Sequence, residues 1–138
     1  MNLQNVMSKD VITLERDDSI ERAAELMKKH NIGSIPVCHN EEVIGIITDR
    51  DIALRSVAEK QNNNLKVSDI MSSNPVCGSK DMDIHEASRL MSERQIRRLP
   101  VTENDKIVGI VALGDIAIEP KHEDEAGCAL SGISQQNS

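Results

Sequence analysis

The run Gly45-Ile46-Ile47-Thr48-Asp49-Arg50-Asp51 ends a stretch of β-branched apolar residues in one hydroxyl and two carboxylates. Carboxylate and hydroxyl together offer several hydrogen-bonding sites at the end of what reads as a buried strand, so the exit is a candidate ligand-binding edge. The plainer reading is that Thr48 or Asp49 caps the helix that follows, where short polar side chains satisfy orphan N–H groups and carboxylates suit the helix dipole. The stretch returns as Gly109 to Asp115, with Ala112 at the threonine position and Leu113 at that of Asp49. Capping by itself explains one polar residue but not the return of aspartate at Asp115. A second constellation, Ile96-Arg97-Arg98-Leu99-Pro100, sets two guanidiniums before an apolar segment of an acidic chain. Such a pair could clamp a phosphate, or could be solvated or paired with the abundant Asp and Glu.

The remaining reactive residues carry less. Asp49 and Asp51 resemble paired catalytic carboxylates, yet no nucleophile or metal-ligand set accompanies them, so no enzyme activity is expected. Cys38, Cys77 and Cys128 are odd in number and widely spaced, without a CxxC pair or histidines at zinc-ligand intervals, and read as reduced intracellular thiols with no metal site. A net charge of -7 and the absence of Phe, Trp and Tyr argue against a nucleic-acid surface, which needs excess Lys and Arg and aromatic stacking. No apolar run is long enough to span a membrane and the N-terminus does not read as a signal peptide, so a cytoplasmic location is expected.

At 138 residues the chain suits one compact fold burying roughly 70% of its unfolded surface. Its interior must be built from Ile, Val, Leu, Met and Ala. Sliding the sequence on itself so that Met7-Ser8 meets Met71-Ser72 also brings Asp17 onto Asp81, Ala23 onto Ala87 and Leu26-Met27 onto Leu90-Met91. Pro36-Val37 then meets Pro100-Val101, Gly45-Ile46 meets Gly109-Ile110, and Asp51-Ile52-Ala53 meets Asp115-Ile116-Ala117, all without a gap. The chain is one unit duplicated, and each copy is small for an independent fold, so the two are expected to share a core.

Within the unit, residues 11–14 read as a short strand. Ile20, Ala23, Ala24 and Met27, and in the second copy Ile84, Ala87 and Met91, mark one face of a helix. Asp83 to Glu86 reads as a capping box, and Asp18 to Glu21 as a similar start one residue earlier in register. Residues 34–38 and 43–47, and their counterparts in the second copy, flank polar turns as hairpins. A helix is expected over residues 49–60. The division is residues 1–60, a linker at 61–66, a second unit at 67–133 whose expected final helix Pro120 interrupts and which closes in a docked helix around Ala126 to Ile133, and a disordered tail at 134–138.

Strand, helix, hairpin and helix, twice, with the openings VMSKDVITL and IMSSNPVCG, the middles SIPV and RRLPV, and the closings GIITDRDI and GIVALGDI, resemble the cystathionine-β-synthase (CBS) domain family in its tandem-pair form. The resemblance implies an α/β (α+β) fold in which two motifs pack through their sheets into a pseudo-twofold disc with two clefts. Such discs often dimerise, and many bind AMP, ADP, ATP or S-adenosylmethionine. On that pattern Thr48, Asp51 and Asp115 bind ribose, with the carboxylate accepting hydrogen bonds from both ribose hydroxyls, and Arg97 and Arg98 bind phosphate. Ile12, Ile32, Ile35, Val76, Ile96 and Leu99 are candidate walls for the base.

The implied function is a regulatory module that senses an adenosine-containing ligand. It requires no cofactor, forms a homodimer and acts on a protein partner that the sequence does not name. The alternative is a structural, dimerisation or protein-interaction module with degenerate clefts, which Ala112 supports.

Overall fold

The computed structural model describes residues 1–57 and 65–117. Its elements begin with α1 (Leu3–Val6), β1 (Leu14–Glu15), α2 (Ile20–His30), β2 (Ser34–His39), β3 (Glu42–Thr48) and α3 (Asp49–Ile52). A π-helical turn, Ala53–Val57, continues α3. Then come α4 (Val67–Ile70), β4 (Ser72–Ser73), β5 (Gly78–Ser79), α5 (Ile84–Arg94), β6 (Arg98–Glu103), β7 (Lys106–Ala112) and α6 (Leu113–Ala117). The sequence reading for residues 58–64, Pro120, the closing helix and the tail falls outside the described residues.

The chain forms two compact units, Ile12–Pro75 and Met1–Val11 with the chain from Val76 onward. These are not the sequence repeats. The opening segment of each repeat packs with the other copy, so the division at residues 60 and 67 does not coincide with the boundaries at which the structure separates. Glycine makes the exchange possible. A Cβ on Gly45 would lie 2.9 Å from the Ser72 carbonyl oxygen and against the Met71 side chain; one on Gly109 would lie 3.0 Å from the Ser8 carbonyl oxygen and against Met7. Only a bare Cα lets the opening segments lie this close to β3 and β7.

In the Ile12–Pro75 unit, β1 runs parallel to β2 with Leu14 beside Val37, and β2 pairs antiparallel with β3 from Ser34↔Thr48 to His39↔Glu42. β4 closes on the far side of β3, with Ser73 opposite Gly45. The hairpin turn is Asn40-Glu41, both with positive φ, the two-residue loop whose twist suits antiparallel strands. Pro36 lies just before the point where β1 joins, so its missing N–H interrupts no parallel ladder. Leu14, Ala23, Leu26, Met27, Ile35, Val37, Ile47, Val67 and Ile70 form the buried core of this unit.

The other unit repeats the plan. β5 runs parallel to β6, β6 pairs with β7 from Arg98↔Ala112 to Glu103↔Lys106, and Asn104-Asp105 form the positive-φ turn. Its core is Leu3, Ile84, Ala87, Met91, Leu99, Val101, Val111, Leu113 and Ile116. Each unit, taken by itself, thus has its own buried apolar cluster. Each copy gains enough apolar surface by borrowing the other's opening segment: Leu3 completes one core, Val67 and Ile70 the other.

Three local expectations also change. The first strand is only Leu14–Glu15, because pairing with β2 begins at Leu14. The two long helices start in the same register, since Ser19 accepts from the Arg22 N–H and Asp83 from the His85 N–H at equivalent positions. The helix expected from Asp49 is a four-residue α-helical turn that widens into the π-helical turn at Ala53. Both long helices end in left-handed residues, Asn31 and Gln95.

Candidate functional site

At the exit of β3 the chain turns straight into α3, and Thr48 is the residue on the hinge. Its Oγ1 accepts from the Asp51 N–H at 3.0 Å, and Asp51 Oδ2 accepts from the Thr48 N–H at 3.0 Å. This reciprocal capping box satisfies two orphan donors at once. The Asp49 N–H donates to the Gly33 carbonyl at 2.9 Å, and Ser34 pairs with Thr48, so the segment leaving α2 is stitched to the strand exit. The Asp51 side chain is 13% exposed, and its Oδ1 lies 3.9 Å from Arg55 Nε. Arg55 also donates from Nη1 to the Ile70 carbonyl at 3.1 Å, which ties this end of α3 to α4.

The second exit keeps half of this arrangement. Asp115 Oδ2 accepts from the Ala112 N–H at 2.9 Å, but Ala112 has no hydroxyl to return the bond. The Leu113 N–H donates to the Arg97 carbonyl at 2.9 Å, and Arg98 pairs with Ala112. Arg97 is exposed and Arg98 half-buried, and among the described residues neither guanidinium has an ion-pair partner. The return of aspartate at Asp115 now has a structural cause: both aspartates accept the N–H of the residue three positions before them. Contrary to the expectation from the sequence, capping by itself accounts for the recurrence. A carboxylate has about four acceptor sites, so the cap leaves the remaining ones open.

Thr48, Asp51, Ile12, Ile32 and Ile35 belong to the Ile12–Pro75 unit, while Asp115, Arg97, Arg98, Val76, Ile96 and Leu99 belong to the other. Ile35 and Leu99 are 0% exposed core residues and present no surface to a base, which corrects their candidacy. Ile12 and Ile32 are half-buried against one core, Val76 and Ile96 against the other. Burial pushes the Cys77 thiol pKa up, and Cys38 is buried.

Sequence reasoning missed two features. Arg55 carried no motif, and Lys80 meets Glu103 at 2.7 Å only because β5 runs parallel to β6. Glu103, through a hydrogen bond and its charge, holds the Lys80 ammonium pKa above the usual lysine range.

A duplicated strand-helix-hairpin-helix unit whose strand exits carry this capped aspartate defines a CBS motif pair. The family model for the CBS domain matches residues 3–57 and again 67–121, and the chain belongs to that family. It is 43% identical over 136 residues to the CBS domain-containing protein YhcV of Bacillus subtilis, covering 99% of this chain and 97% of that protein. Among solved structures it resembles a CBS domain pair in complex with 5′-methylthioadenosine and S-adenosyl-L-methionine. The TM-score is 0.74 and the identity 31%, over 86% of this chain and 94% of that one. It also resembles Hypoxic Response Protein I with two coordinated zinc ions, with TM-score 0.79 and 28% identity over 86% of this chain and 98% of that one. Among the described residues here, no group of three His, Cys, Asp or Glu gathers as metal ligands.

Proposed function

We propose that this protein is a regulatory sensor of an adenosine-containing ligand, AMP, ADP, ATP or S-adenosylmethionine. Asp51 and Thr48 take ribose hydroxyls in one motif, Asp115 does so in the other, and Arg97 and Arg98 take an anionic group. The observation that carries the reading is Asp51. One of its oxygens is tied to the Thr48 N–H, while among the described residues Oδ1 has only the 3.9 Å approach of Arg55, in a half-buried position at a strand exit. That leaves a fixed, half-buried acceptor for paired hydroxyls. The adenosyl ligands of a 31% identical CBS pair support the ligand class. In this reading the ligand favours one arrangement of the chain over another, and a partner protein reads the difference. The module acts as a homodimer in the cytoplasm and catalyses no reaction.

The alternative, a structural, dimerisation or protein-interaction module with degenerate clefts, has the missing hydroxyl at Ala112 in its favour. A thermal-shift panel with AMP, ADP, ATP, S-adenosylmethionine and GTP separates the two. A ligand at about 100 times its dissociation constant adds roughly 2.7 kcal/mol. A rise in midpoint confined to adenosyl compounds is expected, and a flat panel with folded protein would favour the alternative.

A further inference from the structure

Away from the strand exits, the unit formed by Met1–Val11 and the chain from Val76 onward carries a hollow of about 400 Å³ lined by Gln4, Met7, Lys9, Lys80, Glu103 and Val108. It lies at the turn end of the β6-β7 hairpin. The Lys80 N–H donates to the Thr102 carbonyl there, whereas Arg98 and Ala112 pair at the opposite end of the same strands. The opening segment forms one wall, held by Gln4 N–H to the Lys80 carbonyl at 3.1 Å and by Ser8 N–H to the Ile110 carbonyl at 2.9 Å. A volume of this size is within the range of small-molecule sites.

We propose that this hollow is a second ligand site, for a small monoanion with an aliphatic body such as a medium-chain carboxylate. Lys80 and Glu103 pair at 2.7 Å and cancel in charge, so the Lys9 ammonium, which no described carboxylate pairs, leaves the lining one positive charge in excess. That balance matches a monoanion, and a dianion would set its second charge beside Glu103. Met7 and Val108 supply apolar contact for the body, and the Gln4 amide offers both a donor and an acceptor. The charge set belongs to this half alone: the positions equivalent to Lys9, Lys80 and Glu103 in the other copy are Ser73, Arg16 and His39.

The test is a titration of the full chain, labelled at the methionine methyls, with hexanoate and with hexanamide as its neutral isostere. The Met7 methyl, assigned from a Met7→Leu variant, is expected to shift saturably with hexanoate. Hexanamide should bind about tenfold more weakly, since a charge-assisted contact is lost. Shortening the chain to butyrate should weaken binding about fourfold for each CH₂ withdrawn from the apolar wall. Lys9→Gln should lower hexanoate affinity about tenfold and Lys9→Arg should retain it. Lys9 is exposed, and unchanged dispersion of the other methyl signals verifies the fold. Equal binding of hexanamide, an unmoved Met7 methyl, or unchanged affinity in Lys9→Gln would each overturn the proposal.

Discussion

The two strand exits, Thr48 to Asp51 and Ala112 to Asp115, descend from one repeated unit and have diverged in chemistry while keeping one backbone. The first has the complete reciprocal cap and the small residues Gly33-Ser34 beside it; the second has half a cap and Arg97-Arg98 beside it. Both hold the stitch from the preceding segment to the helix start at 2.9 Å. The difference teaches that the capping carboxylate is the part both exits share, whereas the hydroxyl and the guanidiniums differ between them. In the proposed reading both exits offer a carboxylate to ribose hydroxyls, and the second adds the two guanidiniums for an anionic group.

The comparison breaks first where the two halves should be equal. Gly45→Ala and Gly109→Ala each drive a Cβ onto a backbone carbonyl at nearly the same distance, so each should cost about 1–3 kcal/mol in urea unfolding, and by similar amounts. A cost at one glycine and none at the other would show that the exchanged opening segments are not equivalent supports. Next in size is the cap. Thr48→Ala should lose about 1 kcal/mol, and Ala112→Thr, which restores the missing half of the second box, should gain up to about as much. If Ala112→Thr destabilises instead, the second exit has lost the geometry that the first retains.

A smaller effect concerns the thiol at the border of the exchanged segments. Because burial raises the Cys77 pKa, the folded state holds the neutral thiol more firmly than the unfolded chain does. Its contribution to stability is therefore intact below the ordinary thiol range and declines as pH rises through the raised value. Alkylation of Cys77 by iodoacetamide at neutral pH, followed by peptide mapping, should be slower than that of a free cysteine.

Much of this was legible in the residues. The gapless repeat, the helical faces of Ile20 and Ile84, and the polar hairpin turns are local signals, and the described elements follow them closely. The exchange of opening segments was not legible, because Met7 and Met71 look alike and periodicity does not say which copy each one covers. The glycines at Gly45 and Gly109 were the available clue. The burial of Ile35 and Leu99 was not legible for a similar reason: an apolar residue beside a candidate site has the same sequence signature whether it walls a cleft or fills a core. The recurrence of aspartate at Asp51 and Asp115 has one sequence signature whether it serves a ligand or the cap, and the cap is enough to account for it.

The most direct test of the account is calorimetric titration of S-adenosylmethionine and AMP into the wild-type protein and the Asp51→Asn and Asp115→Asn variants. Asparagine retains a carbonyl oxygen for the cap but loses the charge, so folding should be kept while hydroxyl recognition falls. The account predicts adenosyl binding in the wild type and a loss of at least about tenfold in Asp51→Asn, with a separate effect from Asp115→Asn. Wild-type binding that is unchanged in both folded variants would contradict the assignment of the capped aspartates to the ligand.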